Sequence, residues 1–348
     1  MSTAKRPPYG GRFLWGGVRT AAPFPRRLSC RFPGGSGTTR RFRTHSQREG
    51  KTGMEFETEL YGKYRTEMRK TRAAAPMTEA QFCGYLTGQT RDMRSVRIQN
   101  EGILYYRLQK RGGANLCSIP AFGYYAGDEK TLSRLFEKLA EEQLKAGDTV
   151  FSVRLYAHDD SSIRLFSMLQ FGMVSERGVR RIGGAGAEDA DIHELSKDEL
   201  ARRWAEVWSL TSAIVAHLQK SPVFYPGTEF TEDVYRNFYM DEHTKVYGAF
   251  GAGGELIGVI ESNGERDALA FGSRKSVNIG EIYVLPEYRG TRLSDRLLHF
   301  AESRSGADFA WVEHGTANPN ARGFWNRFFT AYQYEMQREI HAVANAAL

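Results

Sequence analysis

From Met54 onward, apolar residues recur with two periods in turn, near 2 and near 3.6, the marks of half-buried strands and amphipathic helices. GILYYRLQ (102–109) and CSIPAFGYY (117–125) read as strands. Leu132, Leu135, Phe136 and Leu139 stand at i, i+3, i+4 and i+7 and predict a helix. TVFSVRLYA (149–157) predicts a strand, 160–170 a helix and 173–182 another strand, and GGAGAEDA (183–190) reads as a linker. The pattern then resumes with a strand near Ile192 and a long helix over 197–219. A shorter helix follows over 232–238, with Thr231 placed to cap it. Strands 245–250 and 255–262 flank a GAGG turn suited to a hairpin. A strand at 278–285, a helix at 291–303, a strand at 308–314, a helix at 319–328 and a strand at 332–342 complete the series.

The two halves of this series look alike. TLSRLFEKLAEE (131–142) lies over RLSDRLLHFAES (292–303), and FSVRLYAHDDSSIRLF (151–166) over AWVEHGTANPNARGFW (310–325) without a gap. A helix–strand–helix–strand order repeated at a nearly constant offset points to a tandem duplication. The expected division is a basic tail over 1–53, a first unit over 54–182, the linker 183–190 and a second unit over 191–348.

Composition changes the picture at one end. The 348 residues are 41% hydrophobic and 26% charged, enough apolar material for two cores, with no run long enough to span a membrane. Three cysteines, Cys30, Cys83 and Cys117, make no disulfide framework and no CxxC metal pair, so a reducing, cytoplasmic setting and no metal are expected. The net charge of +7 would suggest a polyanionic partner. It is unevenly spread: residues 1–50 hold eleven basic side chains against Glu49 alone, and the remainder holds 37 basic and 40 acidic groups. The tail therefore accounts for the basic excess. Rich in glycine and proline and without period, it is expected to be disordered. It is compatible with an organellar leader, a nucleic-acid-binding arm, an inert extension or a true start at Met54. Its scattered aromatics give no recognisable binding pattern, so nucleic acid is not the expected partner.

The chemistry concentrates in NIGEIYVLPEYRGTRLSDRLL (278–298). A strand ends at Pro286, a turn holds Arg289 and Gly290, and a helix starts at once. The first turn of a helix presents unpaired N–H groups and the positive end of its dipole, a ready anion site. Gly290, Thr291 and Ser294 let the backbone come close, and Arg289 and Arg292 add positive charge. No GxxxxGK[ST] nucleotide loop occurs.

At Val284, Pro286, Tyr288, Arg289, Gly290, Leu293, Leu297 and Leu298 this stretch resembles the GNAT superfamily of N-acetyltransferases, whose pattern is V-x-P-x-[YW]-R-G-x-G-[IL]-[GA] followed by helix leucines. Arg292 stands at the usual second glycine and Ser294 at a Gly/Ala. Downstream, Asn318 and Ala321 in NPNARGFWNRFF match the family's N-x-x-A-x-x-x-Y helix, with Trp325 at the tyrosine and Phe329 at a glycine. The likeness is good over 190–342 and looser over 100–182. The first-half turn GYYAGDEKTLS lacks the arginine–glycine loop and carries two acids, so that half reads as a degenerate copy.

The resemblance implies an α/β (α+β) fold of two tandem GNAT-like domains, each a mixed, mostly antiparallel sheet flanked by helices. It implies acetyl-CoA as co-substrate and transfer of acetyl to a primary amine, a small molecule or a peptide amine, by direct attack in a ternary complex. The pantetheine arm would pair with the backbone of Ile282, Tyr283 and Val284 at a bulge. The pyrophosphate would sit on the amides of Arg289, Gly290, Thr291, Arg292, Leu293 and Ser294, with Asn318 and Phe324 also against the cofactor. An alkylamine of pKa about 10.4 must lose a proton before it attacks. Glu281 is the first candidate base, and Glu261, Glu313 and His314 are the second choices. The family's customary acid for the leaving thiolate is the tyrosine that Trp325 replaces, leaving Tyr332, Tyr334 and Tyr283 to be considered. Against these stand plain alternatives: a strand-edge carboxylate for Glu281, a strand histidine for His314, core packing for Trp325, sheet surface for Tyr332 and Tyr334. The segment 221–235, aromatic with Glu229, Glu232 and Asp233, would suit a cationic acceptor or form a packed loop. The competing functions are a non-catalytic acyl-CoA-binding or scaffold protein and a nucleic-acid-associated protein acting through its tail. A homodimer is compatible with the sequence.

Overall fold

The computed structural model describes residues 56–111, 114–183, 188–225 and 230–342. The basic tail, Met54, the centre of the linker and Glu229 lie outside the described residues. Their expected roles are therefore not addressed by the fold.

The first half runs α1 (Glu57–Lys70), α2 (Glu79–Thr90), β1 (Arg94–Ile98), β2 (Gly102–Arg111), β3 (Ala114–Ile119), β4 (Tyr124–Ala126), α3 (Glu129–Leu144), β5 (Thr149–Tyr156), α4 (Asp160–Met168) and β6 (Gly172–Arg181). The second runs β7 (Ile192–Glu194), α5 (Lys197–Arg202), α6 (Trp204–Leu218), α7 (Glu232–Tyr239), β8 (Thr244–Phe250), β9 (Leu256–Asn263), α8 (Ala268–Phe271), β10 (Ser276–Val284), α9 (Leu293–Ser305), β11 (Phe309–Gly315), α10 (Pro319–Trp325) and β12 (Thr330–Ile340).

Most of the expected elements form, and the departures have local causes. The strand read over 117–125 breaks at Pro120, which has no N–H for the ladder; a 3-10 turn (Ala121–Gly123) follows it before β4. The long helix over 197–219 is two helices, α5 capped by Ser196 Oγ and ended at Arg203, whose N–H donates back to Glu199 O. Thr231 caps α7 as its sequence suggests, accepting from the Val234 N–H at 3.4 Å. Residues 56–98, read only as globular, form α1, α2 and β1; Thr78 and Gln81 make a reciprocal capping box at the start of α2.

The strands form one sheet in the order β1-β2-β3-β5-β12-β6-β11-β10-β9-β8-β7, with β4 beside β2. Among the described residues only β3/β5 and β10/β11 are parallel, and each of these pairs is joined through a helix, α3 and α9, as a parallel connection requires. Mixed, mostly antiparallel and flanked by helices, this is the expected fold class. Apart from the short β4 inserted before α3, the element order β3-α3-β5-α4-β6 recurs as β10-α9-β11-α10-β12. The final strands are exchanged, however. β12 lies between β5 and β6, and β6 pairs along its length with β11. The sheet thus runs unbroken across the expected boundary at 183–190.

Four apolar cores pack the helices on this sheet. The leucines of α9, Leu293, Leu297 and Leu298, meet Ile260, Ile279 and Val312, and Trp325 and Phe329 join them. Leu132, Leu135, Phe136 and Leu139 of α3 pack on Phe151 and Val153 in the corresponding place of the first half. Tyr235 and Tyr239 of α7 pack with Trp204 and Val259. α1 and α2 bring Tyr64 and Phe82 against Phe271 and Trp311 of the second half. Among the described residues no helix is long and apolar enough to cross a membrane.

Candidate active site

β10 and β11 start side by side and then part. Their parallel register runs from Ser276↔Phe309 to Asn278↔Trp311 and stops there, although β10 continues to Val284 and β11 to Gly315. The cause is a bulge on β10. Its pairing with β9 slips between Ile279↔Ser262 and Ile282↔Ile260, so that Gly280 and Glu281 together stand opposite the single residue Glu261, and the strand bends. Beyond the bulge Ile282, Tyr283 and Val284 pair with β9 on one side only. A cavity of about 1350 Å³ opens along the gap, and these three residues line it. The equivalent strands of the first half do not part: β3 pairs with β5 from Asn115↔Thr149 to Ile119↔Val153, through to the last residue of β3.

The turn after β10 leads to a helix start with no side-chain cap. Arg292 occupies the N-cap position of α9 at φ 63°, in the left-handed region, and Gly290 has φ 82°. A Cβ on Gly290 would meet nothing within 4 Å, so its backbone angle, not crowding, calls for glycine there. Arg289 Nε donates to Val284 O at 3.1 Å and its guanidinium lies 5.3 Å from the Tyr283 ring centroid, which holds it at the mouth of the gap. Arg289 and Ser294 line the cavity; Gly290, Thr291, Arg292 and Leu293 do not. Thr291 Oγ1 donates to Tyr288 O, and the Leu293 side chain is buried in the core. Of the residues expected to meet an anion in this turn, the side chain of Leu293 is thus committed to the core, and Arg289 and Ser294 are the ones that reach the cavity. The first-half counterpart is closed: Asp128 caps α3, its Oδ1 accepting from the Thr131 N–H at 2.7 Å, where an anion would otherwise sit.

Glu281 projects from the bulge into the cavity. Its Oε1 accepts a 2.9 Å hydrogen bond from the Tyr235 phenol, while its Oε2 is buried with no protein partner among the described residues. Burial pushes this carboxyl up to about 7, against the opposing pull of the Tyr235 hydrogen bond. Glu261, from β9, is buried beside it and fills the space over Gly280: a Cβ there would collide with the Glu261 carboxylate. A side chain at Gly280 would have to displace Glu261, and the bulge places two carboxylates near one wall of the gap.

A strand parted at a bulge, an uncapped helix and a raised carboxylate share one cavity, and the likeness to known proteins falls on the same stretch. Residues 212–329 match the acetyltransferase (GNAT) family. The matching segment runs from within α6 to the residue before β12. No curated protein matches the chain. Among solved structures the chain is similar to a GCN5-related N-acetyltransferase from Sphaerobacter thermophilus, at 14% identity over 71% of this chain and 82% of that one, with a TM-score of 0.44. It is also similar to a GNAT-family acetyltransferase from Colwellia psychrerythraea (12% identity, 81% and 96% covered, TM-score 0.42). A functionally unknown conserved protein from Staphylococcus epidermidis aligns at 11% identity over 71% and 94%, with a TM-score of 0.43.

The remaining candidates divide between the GNAT segment and the strands around it. Asn318 caps α10 with Oδ1, and Asn318, Phe324 and Trp325 all line the cavity. Trp325 is at once core and wall, 4.8 Å from Phe324 centroid to centroid and buried among the α9 leucines. His314 is buried with Nε2 3.7 Å from Glu176, and Glu313 is held between two arginines: Arg154 Nη2 at 3.0 Å and Arg177 Nη2 at 2.6 Å. Burial works to raise the Glu313 carboxyl, but Arg154 and Arg177 together hold it below its ordinary value. A carboxylate so neutralised is a poor base, which leaves Glu281 ahead of that second choice.

The proposed acids fare differently. Tyr332 lines the cavity fully buried, but its hydroxyl donates a short hydrogen bond to Asp267, and burial followed by the Asp267 charge holds the phenol well above its usual range. Tyr334 is corrected more sharply. A bulge in β12, where Ala331↔Gly178 is followed by Gln333↔Arg177, shifts the alternation, and Tyr334 pairs with Glu176 off the cavity wall. Sequence reasoning missed His217 of α6, which lines the cavity with Nε2 3.4 Å from Asn318 Oδ1. It also missed Tyr235, whose partner lies 46 residues away. Among the described residues no group of three or more His, Cys, Asp or Glu side chains is arranged to hold a metal ion.

Proposed function

We propose that the protein transfers an acetyl group from acetyl-CoA to a primary amine. The observation that carries this reading is the parting of β10 from β11 beyond Asn278 and Trp311, with Glu281 at the bulge facing the opened cavity. The free edge of Ile282, Tyr283 and Val284 offers backbone groups to the amides of a pantetheine arm, as an added strand would. The uncapped amides before Ser294, with Arg289 beside them, suit the pyrophosphate. The aromatic wall of Phe324 and Trp325 lies on the same cavity.

In the transfer, the amine nitrogen forms a bond to the acetyl carbonyl carbon, the carbon–sulfur bond breaks, and CoA leaves as the thiolate, which takes up the second proton that the nitrogen gives up as the amide forms. Glu281 takes the proton that the amine must shed, either directly or through water; its pKa near 7 leaves it partly ionised at neutral pH, as a general base requires. Tyr332, committed to Asp267, is a wall residue in this scheme, and His217 lines the cavity beside Asn318 at the start of α10. The first half, with its own gap closed and its helix capped, supplies the opposite wall of the acceptor site, consistent with a degenerate copy in a tandem arrangement. The cytoplasmic setting expected from the cysteine count fits the same reading.

The test is release of free CoA thiol by the full chain across a diverse amine panel. Amine-dependent release, abolished or cut at least about a hundredfold in Glu281→Gln with CoA affinity retained, supports it. CoA binding without turnover on any amine would favour instead a non-catalytic acyl-CoA-binding protein.

A further inference from the structure

The cavity extends past the GNAT segment into the first half, and its far end carries an uncompensated positive charge. Arg107, on β2, lines it half-buried. Its Nη2 donates to Gln89 O at 2.8 Å and Gln89 Oε1 at 3.3 Å, which fixes the plane of the guanidinium. Among the described residues no carboxylate pairs with it, and a guanidinium has five donors to place. The other arginines deep in the cavity are neutralised: Arg177 by Glu313 and Asp267, Arg154 by Glu313 and Glu335.

Two more unsatisfied donors stand beside it. Ser118 is the direct cross-strand neighbour of Arg107, lines the same cavity, and its Oγ is buried with no hydrogen-bond partner among the described residues. Tyr85 reaches the cavity from α2, close enough to Arg107 for their charges to interact. Its phenol has no hydrogen-bond partner among the described residues, and burial keeps it protonated and thus a donor. An unmade buried hydrogen bond is costly, as at Ser118 Oγ, and the half-buried guanidinium and phenol beside it still have donors to place, so the three together describe a ligand's place.

We propose that the acceptor is an amine that also bears a carboxylate, held by Arg107, Ser118 and Tyr85 while its amino group faces Glu281. One uncompensated cation suits a monoanion better than a doubly charged phosphate, and a planar carboxylate matches the guanidinium fork. The assignment rests on the acetyltransferase reading, and it divides the labour between the halves. The GNAT segment holds the acetyl donor, and the first half selects the acceptor.

The test measures thiol release with ω-amino carboxylates from glycine to aminohexanoate, each beside its carboxamide, alongside calorimetric binding of the same compounds to the CoA-loaded chain. The acids are expected to exceed their amides in kcat/KM by roughly ten- to a hundredfold, mostly through KM, and Arg107→Gln to erase that preference. CoA affinity should not change in that variant. Ser118→Ala, a smaller change, should reduce the preference about two- to tenfold and serves if Arg107→Gln does not fold. Equal use of acid and amide, or equal losses for both in Arg107→Gln, would overturn the proposal. If no amine is acetylated yet the acids bind in an Arg107-dependent way, the acetyltransferase reading fails and the carboxylate site stands. Binding by neither overturns the site.

Discussion

The phenol of Tyr235 donates a 2.9 Å hydrogen bond to Oε1 of Glu281, joining the buried face of α7 to the bulge of β10. The pair sets the chemistry of the site. Burial raises the carboxyl to about 7, and the phenol limits the rise by favouring the ionised form. A base of this kind must be deprotonated to act, so kcat/KM is expected to rise with pH through about 7. Tyr235→Phe removes the bond that favours the carboxylate, and the rising limb should move to higher pH by up to about one unit. A limb that stays in place in Tyr235→Phe would show that the titration belongs to another group.

The same shift has a stability consequence. A carboxyl with a higher pKa folded than unfolded keeps its proton in the native state between the ordinary value near 4.5 and about 7, where the unfolded chain has lost it. Native stability therefore falls as pH rises through that window. Glu281→Gln removes the group that must ionise and should stabilise the fold above pH 7 by on the order of 1–3 kcal/mol, with little effect below about pH 4.5. Thermal melts at the two ends of the range check this; a variant less stable at high pH would refute the assignment.

Gly280 is required by its neighbour. A Cβ there would collide with the Glu261 carboxylate. Gly280→Ala must displace that buried carboxylate or straighten the bulge, at a cost of about 1–3 kcal/mol. Denaturant unfolding reads the cost, and CoA affinity should fall with it, because the free edge of Ile282 to Val284 exists only while the bulge does.

Arg292 holds a left-handed conformation that costs a side-chain-bearing residue about 1–2 kcal/mol. Arg292→Gly should raise the melting temperature. If the guanidinium faces the pyrophosphate, the same variant weakens CoA binding and flattens its salt dependence; unchanged affinity would place the side chain elsewhere.

Tyr332 is a candidate acid by sequence, yet its hydroxyl is engaged with Asp267. Tyr332→Phe should lose about 1.5–3 kcal/mol of stability, as expected for a buried hydrogen bond to a charged group, and leave kcat for thiol release nearly unchanged. A large loss of kcat with KM and stability little changed would restore Tyr332 as the acid.

What was legible in the chain was local. The leucines of α9 recur on one face, so their burial against the sheet could be read from spacing; Arg289 and Gly290 sit between a strand and a helix in sequence as they do in space. Glu281 could be singled out because its position relative to the loop fixes which strand it rides. Tyr334 was misread for the opposite reason. Strict alternation puts Tyr332 and Tyr334 on one face, and a single extra residue in β12, dictated by pairing with β6, separates them.

The amino-acid order by itself determined where helices and strands form, which of their faces are apolar, and that one strand–turn–helix is suited to an anion, because these depend on periodicity and turn chemistry within a few residues. Tertiary structure alone decided that β6 and β12 exchange places in one sheet, that β10 leaves β11 after Asn278, and that Tyr235 meets Glu281. It also decided that Arg107 and Ser118 face the same cavity, with no carboxylate beside the one and no hydrogen-bond partner for the other among the described residues. A buried polar group is defined by what surrounds it, and here each neighbour arrives from a distant part of the chain. Periodicity marks which face of a segment is buried, whereas the partner, and with it the charge state, is set only when the segments pack together.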